Sequence, residues 1–217
     1  FYRFFHARRD HLTGFHFNIL AQADGVVTDL SYASADRPLY YSFFRRLLAL
    51  SREADAAGAP FPIRNFSQGL GRILASQAPD APAYLEEAGK PLGCLNVDAK
   101  GYVTTFYAGL GPEVASDLYG DGIGLSLGNI METSFEDMLS SGKLDRIIGD
   151  FGRCTAGCRR ECDYAGVCTG GFELTQRMAF GAYVGGETPE CLIAVKTLTD
   201  ALLDDIGDHL DRIPSAA

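Results

Sequence analysis

Five of the six cysteines lie between Cys154 and Cys191, spaced C-x3-C-x3-C-x5-C-x22-C. A protein of 217 residues, 47% of them hydrophobic, buries a core without covalent staples, so this spacing reads first as metal ligation. Three uses of the thiols compete. Disulfides require an oxidising compartment, and no signal segment places the protein in one. Structural zinc takes four nitrogen or sulfur donors, usually as two close pairs, whereas here a close triple is followed by one distant Cys. An iron–sulfur cluster on four thiolates accommodates a triple plus a remote fourth, and the spacing favours it. Cys94, in a predicted strand, reads as a small core residue.

The net charge of −9 argues against a nucleic-acid or anionic-membrane partner, because such surfaces select basic footprints. Every apolar run is broken by charge, Gly or Pro within about a dozen residues, short of the roughly 20 a membrane span needs. The opening FYRFFHARRDH has no apolar signal core, and the cytoplasm is the expected compartment. It begins without Met and reads like the middle of a helix, so the expectation is a fragment of a longer protein.

From the N-terminus onward, FHFNIL at 15–20 alternates as a strand does. Asp36 as N-cap and Pro38 in the first turn open an amphipathic helix that runs to Gly58. FPIRNF at 61–66 predicts a second strand, and 70–75 a short helix. This is a parallel α/β rhythm, and two such units cannot close a sheet alone. The Ala/Pro/Glu/Gly composition of 76–93 marks a boundary, so residues 1–78 and 79–217 are expected as separate domains. Strands at 94–99 and 102–107 joined through Lys100-Gly101 form a hairpin. Ser134-x-x-Asp137 opens a helix through Leu139 that stops at Gly142, and 144–148 is a short helix leading to Cys154. Leu192, Val195, Leu198, Leu202, Ile206 and Leu210 stripe a last helix, with Thr188 as N-cap and Pro189 in its first turn. That register places Cys191 at the positive end, where unpaired N–H groups favour a thiolate. The four histidines, His6, His11, His16 and His209, have no Ser or Cys partner at a catalytic spacing. Gly120-Asp121-Gly122-x-Gly124 lacks the strand-to-helix context of a dinucleotide loop.

LSLGNIMETSFEDML, then CRRECDYAGVCTGG and a late Cys, resembles the SPASM region of radical S-adenosylmethionine enzymes. Within that group the sequence is most similar to cyclophane-forming peptide maturases, with VDAKGYVTTF in place of their VDxxGxxxTF and CRRECDYAGVCTGG in place of CxxxCxYxxxCGGG. FHFNIL and PIRNF resemble the last barrel strands of these enzymes, so the likeness covers about residues 15–207. It implies an α/β (α+β overall) fold, the last strand–helix units of a partial (β/α)6 radical SAM barrel followed by a SPASM auxiliary-cluster domain with a C-terminal helix. It also implies one auxiliary 4Fe-4S cluster on Cys158, Cys162, Cys168 and Cys191, with Cys154 a structural thiol or substitute ligand. SPASM regions usually hold a second auxiliary cluster. Here Cys94 and Gly101 match its hairpin, but Phe106 stands where a second Cys belongs, and Gly170, Gly171 and Phe172 stand where another is usual.

Leu20 and Ala21 replace an acidic pair expected after FNI, while Asn18 and Arg64 remain polar near strand ends, where α/β proteins bind ligands. The CxxxCxxC motif that holds the S-adenosylmethionine-cleaving cluster is absent, so the resemblance assigns S-adenosylmethionine and a second 4Fe-4S cluster to an N-terminal half outside this sequence. The substrate it implies is a ribosomally synthesised precursor peptide, cross-linked after a C–H bond of one of its side chains is activated. On this reading the present chain alone is inactive. The rival reading is a non-catalytic peptide-binding module folded around a four-cysteine zinc site.

Overall fold

The computed structural model describes residues 1–19, 36–78, 92–105, 112–113 and 115–210. Leu20, Ala21 and the loop to Ala35, most of the expected boundary segment, and Phe106 with Tyr107 lie outside the described residues. The described residues are mostly helical with one small sheet, in two compact units. The first takes its residues from 1–20, 30–82 and 189–217, the second from 21–29 and 83–188.

In the first unit the elements are α1 (Tyr2–His6), α2 (Arg37–Ala56), α3 (Arg64–Ala75), α7 (Pro189–Cys191) and α8 (Leu198–Leu210). Phe44, Leu47 and Leu48 of α2 are buried, as are Leu198, Ala201 and Leu202 of α8, each set recurring at the three- and four-residue steps that make one apolar face. Gly69 lets α3 approach α8 closely, since a Cβ there would lie 2.7 Å from Leu202 Cδ1. Above the apolar seam, Arg37 reaches Asp200 at 2.5 Å, Tyr41 reaches Asp204 at 2.5 Å and Arg45 reaches Asp208. The partners advance by four residues on both helices together, as they do when two helices run in the same direction. Between Cys191 and Leu198 the helix widens to a π-helical stretch, Leu192–Thr197, where the Thr197 hydroxyl donates to the Leu192 carbonyl five residues back at 2.8 Å.

The strand expected at 61–66 is not formed as such. Residues Phe15 and Ile63 make a single parallel bridge, and α3 begins at Arg64. The pairing stops because a side chain takes over: Asn65 Oδ1 accepts from the Phe17 N–H at 2.9 Å and Asn65 Nδ2 donates to the Phe17 carbonyl at 2.8 Å. Phe15 and Phe61 then pack among Tyr2, Phe5 and His6, which fixes α1 against the bridge.

The second unit contains β1 (Asn96–Val97), β2 (Tyr102–Thr104), a 3-10 turn at Ser116–Tyr119, β3 (Gly128–Asn129), α4 (Phe135–Ser140), α5 (Lys143–Glu161) and α6 (Glu173–Phe180). The expected hairpin is present and antiparallel, with Asn96 opposite Thr104 and Val97 opposite Val103. The Asp98 carboxylate closes its turn by accepting from the Lys100 and Tyr102 N–H groups at 2.8 and 2.9 Å. Gly101 supplies the positive φ of 90° the turn requires. LSLGNI contributes a third strand that the sequence did not announce, since Gly128 pairs with Val103 and Asn129 with Tyr102. Ser134 caps α4 through its hydroxyl, which accepts from the Asp137 N–H at 3.1 Å.

The largest departure from expectation is α5. The short helix expected at 144–148 continues to Glu161, because Leu144, Ile147, Phe151 and Cys154 keep helical spacing and all face the core beside Val103, Leu127, Met138 and Leu174. Gly149, Gly152 and Gly157 are held inside this helix, where tertiary burial outweighs their low propensity.

Candidate functional site

The sequence-predicted cysteines fall on α5, on the turns that follow it, and on α7. Cys154 and Cys158 sit one turn apart on α5, and Cys162 is its C-cap, donating its N–H to the Cys158 carbonyl at 2.9 Å. Two tight turns bring the backbone around: Ala165 N–H donates to the Cys162 carbonyl at 3.1 Å and Cys168 N–H to the Tyr164 carbonyl at 3.0 Å. Cys191 lies in the first turn of the last helix, in the first unit. None of the six cysteines is in a disulfide. Cys158, Cys162, Cys168 and Cys191 are half-buried, Cys94 is exposed and Cys154 is 1% exposed. Cys94 is thus a surface residue and not the small core residue expected: its strand begins only at Asn96, so the thiol stands before the sheet and donates to Asn96 Oδ1 at 3.6 Å.

A backbone clamp holds the Cys154–Cys158 turn. The 184–185 loop lies so close to α5 that a Cβ on Gly157 would overlap the Val184 carbonyl oxygen and come within 2.9 Å of its carbon. A Cβ on Gly185 would lie 2.7 Å from both the Cys154 carbonyl oxygen and the Cys158 nitrogen. Gly185, at φ 75°, hydrogen-bonds through its backbone to Cys154. Burial, the largest influence, nevertheless pushes that thiol from its ordinary 9.0 up to about 11.

Gln176 ties the same loop to the next thiol. Its Nε2 donates to the Gly186 carbonyl at 2.9 Å and to Cys158 Sγ at 3.6 Å, while its Oε1 is buried with no hydrogen-bond partner among the described residues. The amide cannot gain by turning over, because its oxygen would then face the Gly186 carbonyl, which only accepts. An orphaned buried acceptor costs about 1–3 kcal/mol. Cys168 has its own donor, the Gly170 N–H at 3.3 Å from Sγ. Sequence reasoning missed Gln176, whose only sequence signal is its place in the cysteine region; the hydrogen bonds that single it out are long-range.

Among the described residues, no three His, Cys, Asp or Glu side chains are placed to hold one metal ion. A mononuclear zinc site needs four donors converging at about 2.0–2.3 Å from a single point. A cluster is a different demand, since each thiolate binds its own iron and the sulfurs stand apart. The donor set has the chemistry for that: thiols outside any disulfide, half-buried, two of them already receiving N–H bonds of the kind that stabilise sulfur-held negative charge.

The other predicted site residues are elsewhere. Asn18 is exposed, and Arg64 is the exposed first residue of α3. The backbone N–H of Arg64 donates to the Phe15 carbonyl at 2.9 Å. The first unit also has a cleft of about 410 Å³ lined by Leu48, Arg52, Phe66, Leu70, Leu202 and Asp205 among others. In the second unit Tyr119 donates to Asp150 at 2.9 Å beside Tyr183, and Lys143, 3% exposed, pairs with Asp121 at 2.5 Å. Burial raises both phenols and lowers the lysine. Among the described residues, no helix is long and apolar enough to cross a membrane.

No protein-family model matches the sequence. It is 25% identical over 211 residues to the uncharacterized protein sll1766 of Synechocystis sp., a match spanning 95% of this protein and 49% of that one. Among solved structures it is similar to native anSMEcpe with bound AdoMet and Kp18Cys peptide, at a TM-score of 0.58 and 18% identity over 98% of this protein and 53% of that one. The complex of anSMEcpe with AdoMet and Cp18Cys peptide gives a TM-score of 0.59 at 18% identity, over 97% and 53%. At these identities the likeness shows a shared fold, and the chain spans about half the length of the proteins it matches.

Proposed function

We propose that this chain is the C-terminal part of a radical S-adenosylmethionine/SPASM enzyme that modifies a ribosomally made precursor peptide. The observation that carries the reading is the coincidence of two independent signals. Nearly the whole sequence shares its fold with half of a protein whose structures hold AdoMet and peptides, and the CRRECDYAGVCTGG turn resembles the cysteine turn of that enzyme group. The finer assignment is activation of a C–H bond on a peptide side chain followed by closure of a cyclophane cross-link, with S-adenosylmethionine cleavage supplied by a CxxxCxxC half outside this sequence. Cys158, Cys162, Cys168 and Cys191 are the proposed ligands of one auxiliary 4Fe-4S cluster, with Cys154 a structural thiol or substitute ligand. A bound cluster supplies a one-electron acceptor, or holds the peptide site in shape.

What the residues of this half do follows from their placement. The Gly157–Gly185 approach fixes the backbone from which Cys158 projects, Cys154 fills the core below it, and the Gly170 N–H faces the Cys168 sulfur. Cytoplasmic reduction would keep such thiols available as ligands.

The test is anaerobic reconstitution with Fe2+ and sulfide. The expected result is a sulfur-to-iron charge-transfer band with about four irons per molecule, lost in Cys158→Ala. Zinc in place of iron, or a Cys158→Ala variant indistinguishable from the parent, overturns the reading. Sequencing the coding DNA before Phe1 checks the remaining part, since an open frame with CxxxCxxC is required there.

A further inference from the structure

We infer that Gln176 is a positioning residue for Cys158, holding its sulfur through an N–H···S hydrogen bond and setting the electronic character of whatever that sulfur ligates. This rests on the reading of Cys158 as a cluster ligand and extends it to a residue outside the cysteine pattern.

Three observations carry it. Gln176 is 4% exposed, and its single amide nitrogen spends one N–H on the Gly186 carbonyl at 2.9 Å and the other on Cys158 Sγ at 3.6 Å. Its oxygen is left buried without a partner among the described residues, a cost a Met or Leu of similar volume would not carry, so the N–H side of the amide is what the site uses. The loop it grips is also the loop that presses on the Cys154–Cys158 turn, through Val184 and Gly185. One side chain on α6 therefore connects the loop, the helix turn and the sulfur. An amide N–H facing a ligating sulfur withdraws electron density from it and favours the reduced state of the metal group it holds.

The test compares the parent protein with Gln176→Met and Gln176→Glu after anaerobic loading with Fe2+ and sulfide. Met keeps the volume and removes both donors; Glu keeps the shape and turns an acceptor toward the sulfur. The readouts are iron per molecule and the midpoint potential of the bound group by redox titration, with circular dichroism of the iron-free proteins as the folding control. The expected result is native circular dichroism with a potential more negative than the parent in both variants, further in Glu, and partial loss of iron in Glu. Should Gln176→Met fail to fold, the Glu variant decides. Variants that fold, load and titrate like the parent overturn the inference while leaving the cluster assignment standing. A parent protein that binds no iron removes the assignment and this inference with it.

Discussion

Two glycines five residues apart on α5 are predicted to respond in opposite directions to the same substitution. Among the described residues, and apart from its chain neighbours and the backbone of its own helix, Gly152 has no atom within 4 Å of the position a Cβ would take, whereas at Gly157 that Cβ would overlap the Val184 carbonyl and crowd Gly185 Cα at 3.2 Å. Both residues are helical, so each Gly→Ala change brings the same propensity gain of about 0.5–1 kcal/mol. At Gly152 nothing opposes it. At Gly157 the obstacle is backbone, which has no rotamer to turn away, so the helix and the 184–185 loop must separate. Overpacking of this kind costs about 1–3 kcal/mol or more, and separation also breaks the Gly185 bond to Cys154 and the Gln176 bond to Gly186. A net loss of about 2 kcal/mol or more is expected for Gly157→Ala. At about 2–4 °C per kcal/mol for a protein of this size, its melting temperature falls by about 4–8 °C, while that of Gly152→Ala rises by about 1–4 °C. Thermal unfolding followed by circular dichroism measures both. If Gly157→Ala matches Gly152→Ala in sign, the close approach of loop and helix is wrong and so is the account of how Cys158 is held.

Cys154 gives a pH signature. Its folded-state value of about 11 lies above the unfolded 9.0, so the unfolded state loses this proton first and stability falls as pH rises from about 9 to 11; removing that part of the slope, about 3 kcal/mol in total and about 2 kcal/mol of it between pH 8 and 10.5, is the expected effect of Cys154→Ala in urea titrations at pH 8 and 10.5. Phe151, 1% exposed in the same core, should cost about 3–5 kcal/mol as Phe151→Ala, measured by the same titrations. The Arg37–Asp200 pair, partly exposed on both sides, should contribute no more than about 1 kcal/mol by double-mutant cycle, less in 1 M NaCl.

What was legible in the sequence was local. The start of α2 behind Asp36 and Pro38, the Asp98–Gly101 hairpin turn, the Ser134 cap and the last helix from Pro189 are all written in residues within a few positions of one another. The strand expected at 61–66 is reduced to the bridge at Ile63, because the backbone of 64–66 turns helical where the Asn65 side chain takes the Phe17 groups. The end of α5 was unreadable for the converse reason: three glycines argue against a helix, and packing in the core beside Val103, Leu127, Met138 and Leu174 outweighs them.

For the candidate site, the sequence by itself determined the thiols, their spacing and the enzyme group they resemble, because ligand type and loop length are properties of the covalent chain. Which thiol is sealed in the core, which loop presses on Cys158, and the presence of Gln176 at its sulfur were decided only by the tertiary structure. Val184 and Gly185 meet α5 about thirty residues along the sequence from it, and a contact between distant segments leaves no periodicity to read. Its sole mark in the sequence is a pair of glycines, Gly157 and Gly185, that serve the approach of two backbones.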